Sequence, residues 1–172
     1  MERLGFINDQ YEVKVLILYV MRALPLPIDT ESLAELVLID GGVDYFEYKQ
    51  CFFELVDSAH IEEKVPGKYA LTIKGRRNSE ILETSVPFSV RTKADRLIAP
   101  VAEAMLRNSM IIASHEDCTG GLSVHLALSD GIGSIFDLKI LAADETQAKR
   151  IEKNFKSNAE GFYNRFIEML SE

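Results

Sequence analysis

The stretch KYALTIKGRRN, residues 68–78, decides how the first half of the chain folds. It begins like a strand, and Thr72 then supplies the kind of side chain that caps a helix. Two arginines, Arg76 and Arg77, follow where the first turns of that helix are expected. No residue from 64 to 79 is acidic, although the chain as a whole carries a formal charge of −8. The stretch therefore predicts a strand-to-helix junction with a local excess of positive charge.

The residues before Thr72 predict a hairpin. Pro66 and Gly67 separate two short segments, and this pair favours a tight turn because proline presets φ and glycine permits a positive φ. After the hairpin, Thr72 is expected to cap a fourth helix over IKGRRNSEILE. Within that helix we expect Gly75 to be tolerated at a small cost in helix propensity.

Three helices are predicted before the hairpin. The first is the apolar run YEVKVLILYVMRAL, residues 11–24, which Pro25 and Pro27 end. Asp29 or Thr30 caps the second, and Asp44 with Glu47 opens the third, YFEYKQCFFELVDSA. Three helices, a hairpin and a trailing helix form the order of a winged helix-turn-helix. The residues expected to face inward on the third helix are Phe52, Leu55 and Val56, with Phe46 or Tyr45, and Cys51 as an inert core thiol.

The second half predicts a connecting helix, a sheet and a final helix. The connecting helix, RTKADRLIAPVAEAMLRN, must kink or split at Pro100. The segments SMIIASHE, LSVHLALS and SIFDLKILA then alternate with glycine-containing turns and predict three antiparallel strands. Asp144 with Gln147 is expected to cap a helix that runs to about Leu170. The apolar residues of this helix form one stripe, which would pack on the sheet or extend a dimer seam. They are Ile151, Phe155, Phe162, Phe166 and Leu170.

These elements predict an α+β fold in two parts. Residues 1–84 would form a winged-helix domain. Residues 85–172 would form the connecting helix and a small α/β domain for effector binding or dimerisation. The stretch TSVPFSV, in which Pro87 interrupts helix formation, is the expected joint.

Several short stretches together resemble one family: GFIND, LILY, YFEY, YALTIKG, VPFSVR and LSDG. In this order they are similar to the bacterial proteins grouped as domain of unknown function family 4364, whose N-terminal part is related to winged-helix transcription regulators. The motif Tyr-x-Leu-Thr-x-x-Gly is shared by many winged-helix regulators, whereas VPFSVR and the C-terminal part carry the narrower assignment. The resemblance implies a DNA-binding regulator and supplies no ligand or catalytic residue.

Composition limits the class of protein. With 47% hydrophobic residues the chain suits a soluble globular protein, and no apolar run approaches the roughly 18 residues of a membrane span. The N-terminal MERLGFINDQ does not have the pattern of a signal peptide. Cys51 and Cys118 imply no disulfide framework, so we expect a cytoplasmic protein without membrane association. The acidic charge argues against general nucleic-acid affinity but allows a local site.

The candidate DNA contacts fall into two groups. Five basic residues between 64 and 79 are expected to hold the phosphate backbone, or else to form a solvated face balanced by nearby glutamates. They are Lys64, Lys68, Lys74, Arg76 and Arg77. The third helix carries four carboxylates, if its capping Asp44 is included, against one lysine, which is unfavourable for entry into the major groove. Its candidate base readers are Tyr45, Tyr48, Lys49 and Gln50.

No residue set predicts catalysis, a metal or a cofactor. His115 and Cys118 with the distant His125 do not have the spacing of a zinc site, and neighbouring strand residues point to opposite faces. His60 lies too close in sequence to Asp57 and Ser58 to form a catalytic triad, and is expected to anchor a turn instead. We therefore expect a non-enzymatic, dimeric regulator that binds double-stranded DNA, with an effector possible but unspecified. The alternative is a protein-interaction or ligand-sensing winged-helix module that does not bind DNA.

Overall fold

The computed structural model describes residues 5–7 and 9–171, and part of the N-terminal stretch without a signal-peptide pattern lies outside them. The chain divides into two compact units, Met1–Met105 and Leu106–Glu172. The first holds helices α1 (Gln10–Ala23), α2 (Thr30–Val37) and α3 (Tyr45–Asp57), a hairpin of β1 (Ile61–Val65) and β2 (Lys68–Leu71), and α4 (Ile73–Leu82). A short 3₁₀ turn, Glu83–Ser85, leads into α5 (Phe88–Ser109).

The second unit is a three-stranded antiparallel sheet with two helices. Strands β3 (Ile111–Cys118), β4 (Gly121–Ser129) and β5 (Ser134–Ala142) pair in chain order. Helices α6 (Glu145–Ser157) and α7 (Ala159–Ser171) follow them. The α+β class is confirmed, with the helices, hairpin and sheet in the predicted order. Within the described residues, none of the helices combines the length and apolar character that a membrane span requires.

The core of the first unit surrounds α1. Eight of the residues of this helix, from Val13 to Met21, are buried, as the apolar run predicts. Asp29 caps α2 and Asp44 caps α3, each accepting a hydrogen bond from the backbone amide three residues later. Around this core, α5 contributes Val90, Ala94 and Ile98 and continues through Pro100 without splitting.

The predicted inward face of α3 was partly wrong. The buried residues are Tyr48, Cys51, Phe52 and Leu55, whereas Phe46 is 84% exposed. Positions 48, 51, 52 and 55 follow the helical spacing of three and four, so a helix that buries Phe52 and Leu55 must also bury Tyr48. Phe46 lies outside that stripe and therefore faces solvent.

The single final helix predicted from the sequence is two helices that meet at Asn158. This residue ends α6 with a non-helical backbone, φ −156° and ψ 51°, and its carbonyl accepts a hydrogen bond from the Phe162 amide. The rings of Phe155 and Phe166 lie 6.0 and 5.5 Å from that of Phe136 on β5. In a straight helix residues 155 and 166 would be about 16 Å apart along the axis. The break brings both rings onto one residue of the sheet.

The hairpin is anchored on both sides. Its turn has Gly67 at φ 74°, and Ile28, between α1 and α2, exchanges two backbone hydrogen bonds with Tyr69 at 3.0 and 2.8 Å. At its other end the Thr72 hydroxyl accepts a hydrogen bond from the Gly75 amide and donates to the Ala59 carbonyl. The start of α4 is therefore held against the segment that joins α3 to β1.

Gly75 is required for this close approach. A Cβ atom at this position would lie 2.0 Å from the carbonyl oxygen of His60. The sequence-based expectation of a merely tolerated glycine was therefore wrong, because the missing side chain is what lets α4 lie against the α3–β1 segment.

We expect Gly75→Ala to destabilise the first unit by about 1–3 kcal/mol, because relieving the clash must move α4. This is opposite to the effect of helix propensity, which favours alanine by about 1 kcal/mol. Denaturant unfolding followed by tyrosine fluorescence measures it, since every tyrosine except Tyr163 lies in the first unit. The control is Gly133→Ala, where an added Cβ would meet no described heavy atom within 4 Å. Equal stability of the Gly75→Ala protein and wild type would show that α4 can shift freely.

Candidate nucleic-acid interface

The candidate interface is built on the hairpin and the first turns of α4. We call the five side chains from Lys64 to Arg77 the basic surface, which consists of Lys64, Lys68, Lys74, Arg76 and Arg77. All five are exposed. The hairpin carries the first two and α4 carries the other three, so the two elements joined at Thr72 together present the positive charge.

Two members of the basic surface have partners. The Lys64 ammonium lies 2.6 Å from a carboxylate oxygen of Glu62, with both side chains about half exposed. Exposed pairs of this kind contribute little energy and are easily exchanged for another anion. The Lys74 ammonium donates to the backbone carbonyl of Ser58 at 2.7 Å, which helps to hold α4 against the end of α3. Lys74 therefore has a structural contact as well as a charge.

The other three members, Lys68, Arg76 and Arg77, form no ion pair with any carboxylate among the described residues. If the basic residues formed only a solvated face, nearby glutamates were expected to neutralise them. Glu83 instead pairs with Arg22 at 2.5 Å and with Arg91 at 3.3 Å, which also holds the pKa of its carboxyl below the usual value. Three cations are therefore left to bind anions from solution.

His60 links the basic surface to the core. Its Nδ1 lies 2.9 Å from the Ser58 hydroxyl and its Nε2 lies 2.8 Å from the Asn78 side-chain nitrogen. With Asn78 as donor, Nε2 is an acceptor and Nδ1 carries the proton, so the ring is neutral. Partial burial, and secondarily the charge of Lys74, lowers the pKa of His60. The histidine anchors the turn before the hairpin, as the sequence predicts, and is not part of a triad.

The candidate base readers on α3 are largely occupied within the protein. The Lys49 ammonium donates to Glu31 at 2.6 Å and to the Thr30 hydroxyl at 2.8 Å, and it lies 5.3 Å from the centre of the Tyr45 ring. The Tyr45 hydroxyl lies 2.9 Å from both oxygens of Glu31. These hydrogen bonds, that of Lys49 first, lower the pKa of the Glu31 carboxyl. A DNA base must displace Glu31 to reach either side chain.

Tyr48 was wrongly expected on the groove side of α3. It is fully buried, its hydroxyl donates to the Thr30 carbonyl at 2.8 Å, and burial raises the pKa of the hydroxyl. Gln50 is exposed, but its side-chain amide donates to Glu54 at 3.0 Å. Glu54 also pairs with Lys14 at 2.5 Å. Gln50 is therefore held by a carboxylate that is itself neutralised by Lys14.

Exposed aromatic rings on α3 were missed by the sequence reasoning. Phe46 and Phe53 are 84% and 49% exposed, and they lie seven residues apart, two helical turns on the same side. The inward spacing of positions 48, 51, 52 and 55 was the signal that could have placed them outside. An aromatic face of this kind is typical of a protein contact rather than of a phosphate contact.

The residues considered for a metal do not converge. His115 on β3 lies 2.6 Å from Glu152 on α6, whereas His125 on β4 lies 3.1 Å from Asp137 on β5. In the register of the sheet His115 is opposite Val124, so it occupies the same face as Val124 and the opposite face from His125. Within the part of the chain that the structure describes, no group of three or more such ligands could hold a metal ion.

The fold defines a two-unit α+β protein with a helical, hairpin-containing N-terminal unit. Residues 13–170 match the family described as domain of unknown function (DUF4364), and the chain belongs to that family. The resemblance found in the sequence is thereby confirmed. No curated protein and no solved structure matches the chain significantly.

We expect the stability of the first unit to decrease as pH falls from about 7.5 to 5.5, and His60 to carry part of this decrease. The pKa of His60 is lowered in the folded state, so the unfolded chain binds the proton first, at a pH near its ordinary value of 6.5. The stabilisation is complete above that value and is lost as pH falls toward the lowered pKa. His60→Gln should flatten the curve, measured by urea unfolding across this range.

The control for this effect is His125→Gln, which removes a half-buried histidine from the second unit. Its pH dependence in tyrosine-monitored unfolding should equal that of the wild type. The same slope in the His60→Gln protein and in the wild type would remove His60 as the cause.

Proposed function

We propose that the N-terminal unit is a winged helix-turn-helix that binds double-stranded DNA, and that the protein is a non-enzymatic, dimeric transcription regulator of the cytoplasm. The observation that carries the proposal is a set of three cations on a hairpin and the helix after it, which form no ion pair among the described residues: Lys68, Arg76 and Arg77. Three helices precede that hairpin in the order of the winged-helix architecture. Cys51 and Cys118 form no disulfide, which agrees with a reducing compartment.

In this proposal the basic surface supplies most of the affinity. Each lysine or arginine that neutralises a phosphate releases counterions, so binding weakens as salt rises. Such contacts position a protein on the duplex without reading its sequence. The arginines can also bind one phosphate through two parallel hydrogen bonds, which fixes geometry as well as charge.

The third helix reads bases weakly in this arrangement. Lys49 and Tyr45 are held by Glu31, and Gln50 is held by Glu54. Each would have to exchange an internal carboxylate for a base edge, and the displaced carboxylate would then face the phosphates. We therefore infer that the hairpin and α4 hold the duplex more strongly than α3 does. In the usual winged-helix arrangement the third helix enters the major groove and makes the main contacts.

The second candidate function is a protein-interaction module that does not bind DNA. It is favoured by one observation, the exposed Phe46 and Phe53 on the helix that a DNA-binding winged helix would place in the groove. Aromatic side chains are enriched at the centres of protein interfaces, where carboxylates are depleted. If the protein has this function, the basic surface is only a solvated face, and α3 is the helix that contacts the partner protein.

One experiment separates the two functions. Binding to random duplex DNA is measured by fluorescence anisotropy across a salt series for wild type and for Arg76→Ala/Arg77→Ala. We expect the double variant to bind more weakly and to lower the slope of log K against log salt by roughly 1 to 2, since each phosphate contact contributes about 0.9. The substituted side chains are exposed and unpaired among the described residues, so the fold should be kept.

The matched control is Arg150→Ala/Lys153→Ala, which removes the same charge from exposed positions of α6. It should leave the slope unchanged if the basic surface is the site. Equal losses in both double variants would mean that only net charge matters. Wild-type protein without salt-dependent binding would contradict the DNA proposal. In that case Phe46→Ser/Phe53→Ser tests the second function through loss of a captured partner.

The dimer of the proposal is assigned to the exposed end of α7. Met169 and Leu170 are 75% and 70% exposed there, and Ile167 is 43% exposed. Exposed apolar residues that cluster on one helix are suited to self-association. A two-fold dimer would also present two DNA-binding units to the half-sites of a palindromic operator.

We expect a mass of twice 19.3 kDa in light scattering of the wild-type protein at high micromolar concentration. Met169→Glu/Leu170→Glu should give a monomer, because four carboxylates would then meet in a two-fold contact and repel one another. Lys153→Glu, a charge change on the exposed side of α6, should remain dimeric. A monomeric wild type would contradict the dimer, and a dimeric Met169→Glu/Leu170→Glu protein would place its contact elsewhere.

A further inference from the structure

A cavity of about 390 Å³ lies within the second unit at the break between α6 and α7. Its floor is the helix-facing side of the sheet, where Leu126 and Ile140 lie on neighbouring strands β4 and β5. Its walls come from both helices, with Ile151 and Phe155 on α6 and Phe162 on α7. A continuous straight helix would not produce this cavity, because the turn at Asn158 is what brings α7 back toward Phe136.

The body of the cavity is apolar. Leu126 and Phe155 are buried, and Ile140 and Ile151 are partly buried core residues of the unit. Phe162 is partly exposed and packs against both Phe136 and Phe155, at ring separations of 5.8 and 5.5 Å. Surfaces of this kind bind a hydrocarbon chain or ring, because its transfer from water is favourable.

The polar end of the cavity is cationic. Its polar lining residues are Asn154, Asn158 and Arg165, and no carboxylate lines it. Among the described residues, none forms an ion pair or hydrogen bond with the Arg165 guanidinium. A guanidinium offers parallel donors that match a carboxylate, and the two amides can add hydrogen bonds to the same oxygens. A positively charged ligand would find no carboxylate to pair with among the lining residues and would be repelled by Arg165.

We propose that this cavity binds a small carboxylic acid with an apolar chain or ring, its carboxylate on Arg165 and its body against Leu126, Ile140 and Phe162. The volume lies at the small end of the range of about 300–1,000 Å³ for ligand sites, which favours a compact ligand. The site lies wholly within the second unit, so the inference does not depend on DNA binding by the first. It gives the second unit a sensing role.

The test uses octanoate and 3-phenylpropionate as probes, with the corresponding alcohols as neutral matched ligands. Each is titrated into the full-length ¹⁵N-labelled protein at neutral pH, where both acids are ionised. We expect the acids to shift the amide signals of lining residues such as Leu126, Phe155 and Phe162, and to bind more tightly than the alcohols. Arg165→Gln should weaken binding of the acids by about tenfold or more, as expected for a lost charge-assisted contact, and leave the alcohols unchanged.

Arg150→Gln is the control, since it removes an arginine of α6 that does not line the cavity, and should bind the acids as wild type does. The spectrum of the Arg165→Gln protein shows directly whether it is folded. Equal affinity for acids and alcohols would overturn the assignment of the polar end. Unchanged acid binding in Arg165→Gln, shifts confined to residues outside the cavity, or no binding of either acid would overturn the proposal.

Discussion

The contact between the start of α4 and the segment joining α3 to β1 is the constraint on which the N-terminal unit depends. The Thr72 amide donates to the His60 carbonyl at 3.0 Å, and the Thr72 hydroxyl proton is shared between the Ala59 and His60 carbonyls at 2.8 and 3.2 Å. Gly75 lets the helix backbone approach the same His60 oxygen. The Lys74 ammonium adds a hydrogen bond to Ser58. Because the hairpin begins at Ile61 and ends before Thr72, this one contact closes it at its base and determines the direction in which α4 carries its arginines.

Competition for carboxylates explains how an acidic chain retains a basic surface. Glu83 follows the basic segment closely in sequence, but Arg22 of α1 and Arg91 of α5 reach it in the folded unit. Glu31 is similarly bound by Lys49. Glu83 and Glu31 are thereby committed elsewhere, and the exposed Glu80 of α4 forms no ion pair with Arg76 or Arg77 among the described residues. The hairpin and α4 therefore keep their positive charge, because these two carboxylates pair with cations outside the basic surface.

The candidate interface was predictable in part. The local sequence is enough to predict three features, because each depends only on neighbouring residues: the positive charge of residues 64–79, the turn at Gly67 and the cap at Thr72. The occupation of Lys49 by Glu31 depends on how α2 lies against α3, and nothing in the sequence around either residue indicates it. The exposure of Phe46 can be predicted from the sequence, because position 46 lies outside the spacing of three and four that the buried residues of α3 follow. Its apolar side chain alone favours the opposite prediction.

The sequence by itself determined the class of fold, the order of helices and strands, the caps and the family, because all of these follow from periodicity, turn chemistry and motifs within short windows. Only the tertiary structure decided which carboxylates pair with which cations, and what the break in the last helix does to the packing. The position of that break has a signal in the sequence, Asn158 with the nearby Gly161. The structure shows what that break accomplishes, since Phe155 and Phe166 both reach Phe136 only when the helix axis turns. The physical reason is that packing and pairing are non-local, and residues far apart in sequence compete for the same partner.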